Sequence, residues 1–230
     1  MTKHGRDGMN SANGDRRGLI IFGAGGHAKV AFDAALSGGL FHIAGFVVDD
    51  RPVALDETLL GVPVIRFEGL TESRDRFPEL FIVGIGNNSL RRDKQRVMCE
   101  LGFRATSVVH ASARVGIGGR VGEGVLVCAG ANIDPSVEIA DGAIVNNGAI
   151  VCHDSTIGRF AHLGPGAVVG GMCHVGDGTL VGMGAKILSG LHVGNRAVVA
   201  AGAVVTKPVP DDMLAIGLPA RFQRLKTLDS

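Results

Sequence analysis

The chain has 230 residues, of which 46% are hydrophobic and 20% are charged, so it can bury a sizeable core and extensive disorder is excluded. Its 23 basic and 22 acidic residues leave a net charge of +1, which argues against a dedicated binder of nucleic acid or of an anionic membrane. The four cysteines lack metal-type or disulfide-type spacing, and no apolar run is long enough to span a membrane. We therefore predict a cytoplasmic protein with reduced thiols and no membrane insertion.

The first elements predict a nucleotide-binding domain over residues 19–106. Residues 1–18 are polar, contain no signal-peptide core and are predicted to be disordered. The apolar run Leu19–Phe22 leads into Gly23-Ala24-Gly25-Gly26-His27-Ala28 and then into an amphipathic stretch. A strand, a G-x-G-x-x-A turn and a helix are typical of a site where phosphate lies on backbone N–H groups.

Two further apolar runs, Ile43–Val48 and Leu80–Ile85, end in polar residues. The first is followed by Asp49-Asp50, and the second by Gly86-Asn87-Asn88 and a basic helix. Because the carboxyl ends of parallel strands meet at one edge of a sheet, these loops are expected to form a ligand site. Only three strands are recognisable, which favours one mononucleotide, as in a nucleotide sugar, over NAD. A glycine turn that serves only packing is the structural alternative.

Residues 107–230 contain a repeat of six residues. Every sixth residue from Val109 to Val205 is aliphatic, at seventeen positions without a break. Ten of the sixteen residues that lie three positions further on are glycine, which adopts positive φ at no steric cost. This pattern predicts a parallel β-helix in which three units close one triangular coil, giving five to six coils. A helical interpretation fails because each glycine would cost roughly 1 kcal/mol.

Within the repeat, the pair His153-Asp154 lies at a predicted corner, where a histidine is suited to accept a proton. The alternative is that Asp154 only fills the corner and His153 is an exposed turn residue. Gly171 lies eighteen residues after His153, so it should stack on it and leave open space beside the imidazole. His162 lies half a coil away, on another face, so both histidines would serve one site only if they come from different subunits. The spacing therefore predicts a homotrimer.

The order and combination of four motifs resemble a known family. The segments GAGGHAKV, IGNNSLRR, HDSTIGRFAHLGPGAVVGG and AIGLPAR span about residues 19–224. They resemble the sialic-acid O-acetyltransferase-type sugar acyltransferases, and are most similar to the subgroup that N-acetylates nucleotide-linked 4-amino-4,6-dideoxy sugars. The resemblance implies a short Rossmann-like domain followed by a left-handed β-helix, with acetyl-CoA as cosubstrate and no metal. The alternatives are O-acetylation of a sialic-acid-like hydroxyl, a zinc-dependent hydratase and a non-catalytic scaffold.

The resemblance also implies site residues. His153 matches the catalytic base, and Asp154 matches a neighbouring acid that is commonly Glu in relatives. The matched contacts to acetyl-CoA are His162, Gly171, Met183 and Ala201. The matched contacts to the nucleotide sugar are Gly25, Gly26 and His27 in the phosphate loop, Asp49 and Asp50 at the nucleoside end, and Gly86, Asn87 and Arg91 after the third strand. His174 and His192, eighteen residues apart, are expected to stack as structural surface residues and not as metal ligands.

Overall fold

The computed structural model describes residues 16–225, which begin with an α/β domain. Its elements are β1 (Arg17–Phe22), α1 (Gly26–Ser37), β2 (Phe41–Val48), β3 (Thr58–Leu59), β4 (Val62–Arg66), α2 (Phe67–Glu72), a 3-10 turn (Arg74–Arg76), β5 (Leu80–Val83), α3 (Asn88–Glu100) and β6 (Arg104–Ala105). The sheet order is β3-β4-β2-β1-β5-β6, and every pairing is parallel except that of β3 with β4.

The sequence predicted β1, β2 and β5, but the sheet has six strands and not three. It missed the two-residue strands β3 and β6, which are too short to show a pattern, and β4, which contains Pro63. Strand β1 also begins at Arg17, inside the segment predicted to be disordered, because the Arg17 N–H donates to Leu40 O at 3.0 Å. The rest of that prediction, for residues 1–15, lies outside the described residues.

Beyond β6 the chain forms the predicted left-handed β-helix, with seventeen strands of two residues each. They are β7 (Val108–Val109), β8 (Arg114–Val115), β9 (Arg120–Val121), β10 (Leu126–Val127), β11 (Asn132–Ile133), β12 (Glu138–Ile139), β13 (Ile144–Val145), β14 (Ile150–Val151), β15 (Thr156–Ile157), β16 (His162–Leu163), β17 (Val168–Val169), β18 (His174–Val175), β19 (Leu180–Val181), β20 (Lys186–Ile187), β21 (His192–Val193), β22 (Val198–Val199) and β23 (Val204–Val205). The second residue of every strand is one of the seventeen aliphatic positions of the repeat. Strands β24 (Met213–Ile216) and β25 (Arg221–Arg224), which the repeat did not predict, close the last coil.

The strands stack in register every eighteen residues and form three faces. The covered face consists of β7, β10, β13, β16, β19 and β22, and β24 and β25 extend it. The aliphatic face consists of β8, β11, β14, β17, β20 and β23. Its outward residues are the half-buried Ile150, Val168 and Val204 and the polar Arg114, Asn132 and Lys186. The polar face consists of β9, β12, β15, β18 and β21, whose outward residues are Arg120, Glu138, Thr156, His174 and His192. The rings of His174 and His192 stack at 4.7 Å, as predicted.

The corners require positive φ even where glycine is absent. Fifteen of the sixteen residues in the glycine column have φ between 52° and 74°, and five of them are not glycine: Ser136, Asp154, Phe160, Met172 and Arg196. The geometry of the coil therefore imposes the left-handed conformation, and glycine is the residue that adopts it without strain.

The α/β domain packs on the covered face. Ala28, Ala31 and Ala35 of α1 share one hydrophobic cluster with Leu126 and Ile144 of that face. Among residues 16–225, no such domain lies on the other two faces. In the part of the chain that the structure describes, no helix is both long and apolar enough to cross a membrane.

Candidate active site

The glycine turn after β1 lines a cavity of 380 Å³ in the α/β domain. Gly25 precedes α1 and provides no side-chain cap, so the first N–H groups of the helix are available to an anion. A Cβ added to Gly25 or Gly26 would meet nothing within 4 Å, whereas one added to Gly84 would lie 2.6 Å from Ala28 Cα. Packing therefore requires glycine at position 84 but not at positions 25 and 26.

The lining of this cavity also includes two carboxylates and one lysine that was not predicted as a site residue. Asp49 and Asp50, which follow β2, both line it. Lys94 of α3 also lines it and forms an ion pair with Asp49. Its ammonium lies 5.8 Å from the centroid of the Phe22 ring. Lys94 is three residues after Arg91, on the same side of a helix already noted as basic, and that spacing was the available signal.

Of the three residues predicted after the third strand, only Gly86 lines the cavity. The Asn87 side chain instead caps α3, where its Oδ1 accepts from the Leu90 N–H at 2.9 Å. The Arg91 side chain is buried, with 1% exposure, and donates to backbone carbonyls of both domains. The structure thus does not place the guanidinium of Arg91 in the cavity.

The loop between β5 and α3, residues 84–87, is called the cavity loop. His162 and His27 meet where this loop touches the covered face. Their ring centroids are 5.1 Å apart, and the rings are nearly perpendicular. A Cβ at Gly86 would lie 2.5 Å from His27 Cδ2, so only glycine permits this approach. The Nδ1 atom of His27 is buried and has no hydrogen-bond partner among the described residues. Burial, with Arg91 as the smaller cause, lowers the pKa of His27.

The neighbours of His162 fix its tautomer. Asn146 Oδ1 accepts from the Asn147 N–H at 2.8 Å, which directs Asn146 Nδ2 toward His162 Nε2 at 3.1 Å. His162 Nε2 is therefore an acceptor, and Nδ1 donates to Gly86 O at 3.2 Å. Burial, followed by the charge of Arg91, lowers the pKa of His162 to about 4. Asn146 was not among the predicted site residues, although a polar residue beside an aliphatic position of the repeat is a recognisable signal.

His153 and Asp154 form the hydrogen bond that the sequence left open. His153 Nδ1 lies 2.8 Å from Asp154 Oδ2, and the φ of 57° at Asp154 turns the carboxylate back toward the ring. Since a carboxylate only accepts, Nδ1 carries the hydrogen and Nε2 of the neutral ring has a free lone pair. The side chain of His153 is 57% exposed. This arrangement can accept a proton from a bound substrate.

The space expected beside His153 is filled by its own ring. A Cβ at Gly171 would lie 2.8 Å from His153 Nε2, so the imidazole rests on the glycine. Glycine at this position thus makes room for the imidazole of His153. Gly171 is correspondingly buried.

Met183 and Ala201, the remaining predicted contacts to acetyl-CoA, lie at the corner between the covered and aliphatic faces. Both are exposed, and they belong to successive coils, in which Met183 O accepts from the Gly202 N–H at 2.8 Å. His153 lies at a different corner, between the aliphatic and polar faces, on the opposite side of the prism from the α/β domain. One chain therefore does not bring His153 to the cavity. Among the described residues, no three His, Cys, Asp or Glu side chains form a group that could hold a metal ion.

The α/β domain and the β-helix each match a known family model. The family model described as PglD N-terminal domain matches residues 18–98, and the bacterial transferase hexapeptide model matches residues 172–207. PerB from Caulobacter crescentus, solved in complex with CoA and GDP-perosamine, is 38% identical, with a TM-score of 0.84 over 90% of this chain and 97% of that one. A mutant of perosamine N-acetyltransferase from the same organism, also in complex with CoA and GDP-perosamine, is 37% identical to this chain.

Two further solved structures share the whole architecture. The acetyltransferase domain of PglB from Neisseria gonorrhoeae, in complex with acetyl coenzyme A, is 33% identical, with a TM-score of 0.81 over 90% of this chain and 98% of that one. WeeI from Acinetobacter baumannii is 26% identical, with a TM-score of 0.78 over 89% of this chain and 99% of that one.

Proposed function

Because the chain belongs to the family of sugar acyltransferases that join a PglD-type N-terminal domain to a hexapeptide-repeat β-helix, we propose that it acetylates the 4-amino group of a nucleotide-linked 4-amino-4,6-dideoxy sugar. Membership of this family identifies the chain as an acyltransferase, whereas the identity of its substrate is our proposal. The observation that carries the proposal is the 38% identity to PerB over nearly the full length of both chains.

His153 is proposed as the general base. Bound acetyl-CoA supplies an activated thioester. The sugar amine forms a bond to the acetyl carbon, the carbon–sulfur bond breaks, and the amine proton passes to His153 Nε2 and then to the departing thiolate. Asp154 accepts from Nδ1 and so fixes the tautomer in which Nε2 is the acceptor of that proton. A covalent route through Cys152 is disfavoured, because burial raises the pKa of that thiol.

The nucleotide is proposed to occupy the 380 Å³ cavity. The N–H groups near Gly25 and Gly26 would hold phosphate, and the orphaned Nδ1 of His27 would gain a partner from the ligand. Asp49 and Asp50 would accept from ribose or base groups, with Lys94 as an additional polar contact.

The corner of Met183 and Ala201 is suited to the pantetheine arm of acetyl-CoA. A Cβ at Gly184 or Gly202 would meet nothing within 4 Å, so the backbone there is open, and Met183 exposes 63% of its surface beside it. Because His162 is held on both ring nitrogens within the chain, a contact with the cosubstrate would require its bond to Asn146 or Gly86 to be exchanged.

We further propose a homotrimer whose aliphatic faces point toward a three-fold axis. The outward residues Ile150, Val168 and Val204 make this face the most apolar one that the α/β domain leaves uncovered. In a closed trimer, one edge of this face meets the opposite edge of the same face in the next subunit. The corner of His153 would thereby meet the corner of Met183 and Ala201 in the next subunit, close to its α/β domain.

The test is release of free thiol from acetyl-CoA in the presence of GDP-, UDP- and dTDP-linked 4-amino-4,6-dideoxy sugars, with sialic acid included. We expect release with one nucleotide sugar, and GDP-linked perosamine is the first to try because PerB binds it. Release with sialic acid alone would replace the proposal by O-acetylation. No release with any acceptor, from protein that is folded and binds CoA, would overturn it.

The role of the base is tested with His153→Asn and Asp154→Asn. We expect His153→Asn to lower kcat by between about tenfold and about 10⁴-fold, depending on how much of the proton transfer the bound amine can manage unaided. His192→Asn, an exposed histidine on the polar face, is the matched control and should retain full activity. A loss of less than about twofold for His153→Asn would contradict the general-base role.

A further inference from the structure

Arg91 is a buried cation whose partners are almost all backbone carbonyls. Its side chain is 1% exposed, and its Nε donates to Gly142 O at 2.7 Å. Nη1 donates to Ile85 O and Gly86 O at 3.0 and 3.1 Å, while Nη2 donates to Phe160 O at 2.7 Å and to Asn88 Oδ1 at 2.9 Å. A buried guanidinium is tolerated only when its hydrogens are satisfied, and here both domains contribute the acceptors.

The acceptors on the β-helix form one column. Gly142 and Phe160 lie eighteen residues apart at the corner between the polar and covered faces, and Gly178 is the next member of the same column. Arg91 contacts the first two, and Asn88, also in the first turn of α3, donates to Gly178 O at 2.9 Å. The start of α3 is therefore joined to three successive coils.

The acceptors on the other side belong to the loop that lines the nucleotide cavity. Gly86 O accepts from Arg91 and from His162 Nδ1, and the ring of His27 lies against its α-carbon. Arg91 thus links this loop, and His27 packed on it, to the β-helix. A lysine could not reproduce all these contacts, since its three donor hydrogens sit on one nitrogen, whereas three nitrogens of Arg91 donate to five acceptors.

We propose that Arg91 is a positioning residue for acetyl transfer, which fixes the cavity loop relative to the β-helix so that the sugar amine arrives where the thioester is held. This inference rests on the proposed function, and it assigns to Arg91 a role without ligand contact. Displacements of about 1 Å can cost about 10²-fold in rate. Loss of the hydrogen bonds of Arg91 should therefore reduce catalysis more than it reduces binding of acetyl-CoA.

The test compares Arg91→Lys with Arg92→Gln, which alters the neighbouring, exposed arginine of the same helix that pairs with Asp93. For Arg91→Lys we expect kcat to fall about 10- to 100-fold and KM for the nucleotide sugar to rise, with an unchanged Kd for acetyl-CoA. Amide hydrogen exchange in residues 84–88 should become faster, whereas Arg92→Gln should match the wild type in every measurement. A lower Tm with unchanged kcat and KM at a temperature where the variant is folded would show that Arg91 is merely structural, and would overturn the proposal.

A second variant covers the case in which Arg91→Lys does not fold. Asn88→Ala leaves the arginine in place but removes its Oδ1 partner and the bond to Gly178 O. We expect the same direction of change in kcat and in exchange of residues 84–88, and unchanged values would overturn the proposal. If the wild type acetylates none of the sugars tested, the proposed function fails by itself, while the exchange experiment still decides whether Arg91 and Asn88 hold the loop.

Discussion

Acidification provides a sharp test of the buried, neutral state of His162. Burial and Arg91 lower its pKa to about 4, from 6.5 in an unfolded chain. The groups that face it are the Arg91 cation on α3, the His27 ring on α1, the Gly86 carbonyl and the Asn146 amide. A proton on Nε2 would meet the Asn146 amide N–H, which is itself a donor, so the folded state resists protonation.

The magnitude follows from linkage between protonation and folding. Above pH 6.5 the ring is neutral in both the folded and the unfolded state, and its ionisation does not affect stability. As the pH falls below 6.5 the unfolded chain binds the proton first, so the free energy of unfolding decreases until the folded-state pKa is reached. Between pH 8 and pH 5 this amounts to about 2 kcal/mol, and it approaches about 3 kcal/mol below pH 4.

The assay is urea unfolding at pH 8 and pH 5, at one protein concentration because association contributes to the apparent stability. His162→Gln keeps an amide that can bond to Asn146 or Gly86 and has no proton to gain, so it should lose about 2 kcal/mol less than the wild type between the two pH values. His42→Gln, which alters an exposed histidine of β2, is the matched control and should keep the wild-type loss. An equal loss in His162→Gln and in the wild type would refute the assignment of a buried neutral imidazole.

Three further predictions concern the cavity, the base and the assembly. Gly171→Ala places a methyl group 2.8 Å from His153 Nε2 and should displace the exposed ring. We expect kcat to fall severalfold to about 10²-fold, while urea unfolding stays near that of the wild type. An unchanged kcat would contradict the packing of the His153 ring on Gly171. Gly25→Ala should fold normally, since its Cβ meets nothing, but should weaken binding of a nucleoside diphosphate in calorimetry; Gly84→Ala, whose Cβ meets the backbone of α1, should instead unfold at lower urea. Val168→Glu should convert a trimer to monomers, because three buried carboxylates would meet at the axis. Sedimentation should show the monomer, and acetyl transfer should be abolished while nucleotide binding persists. A trimeric, active variant would rule out the aliphatic face as the interface.

The β-helix was almost fully predictable because its repeat records a local rule. One aliphatic side chain must point inward in each strand, and one residue must turn each corner at positive φ. Both requirements recur every six residues, and the seventeen strands from β7 to β23 coincide with them. The α/β sheet was less predictable, since β3 and β6 have two residues each and exist only through pairing with neighbouring strands.

The candidate site divides along the same line. The glycine turn, the acidic pair after β2 and the His153-Asp154 corner are short contiguous segments, so their residue types and spacing were visible in the sequence. Arg91 was assigned to the substrate because the segment IGNNSLRR resembles the loop after the third strand in the family, yet two of its acceptors lie 51 and 69 residues away in the chain. No local pattern records such a contact.

The sequence by itself therefore determined the architecture, because periodicity and turn chemistry act over a few residues, and the combination of four short motifs indicated the family and the segments of the candidate site. Only the tertiary structure decided how those segments are used: that Asn87 caps a helix, that Arg91 joins two domains, that Lys94 reaches Asp49, and that the imidazole of His153 rests on Gly171. These outcomes depend on which buried carbonyls need a donor and on which atoms are brought within van der Waals contact, and both are set by the packing of distant segments.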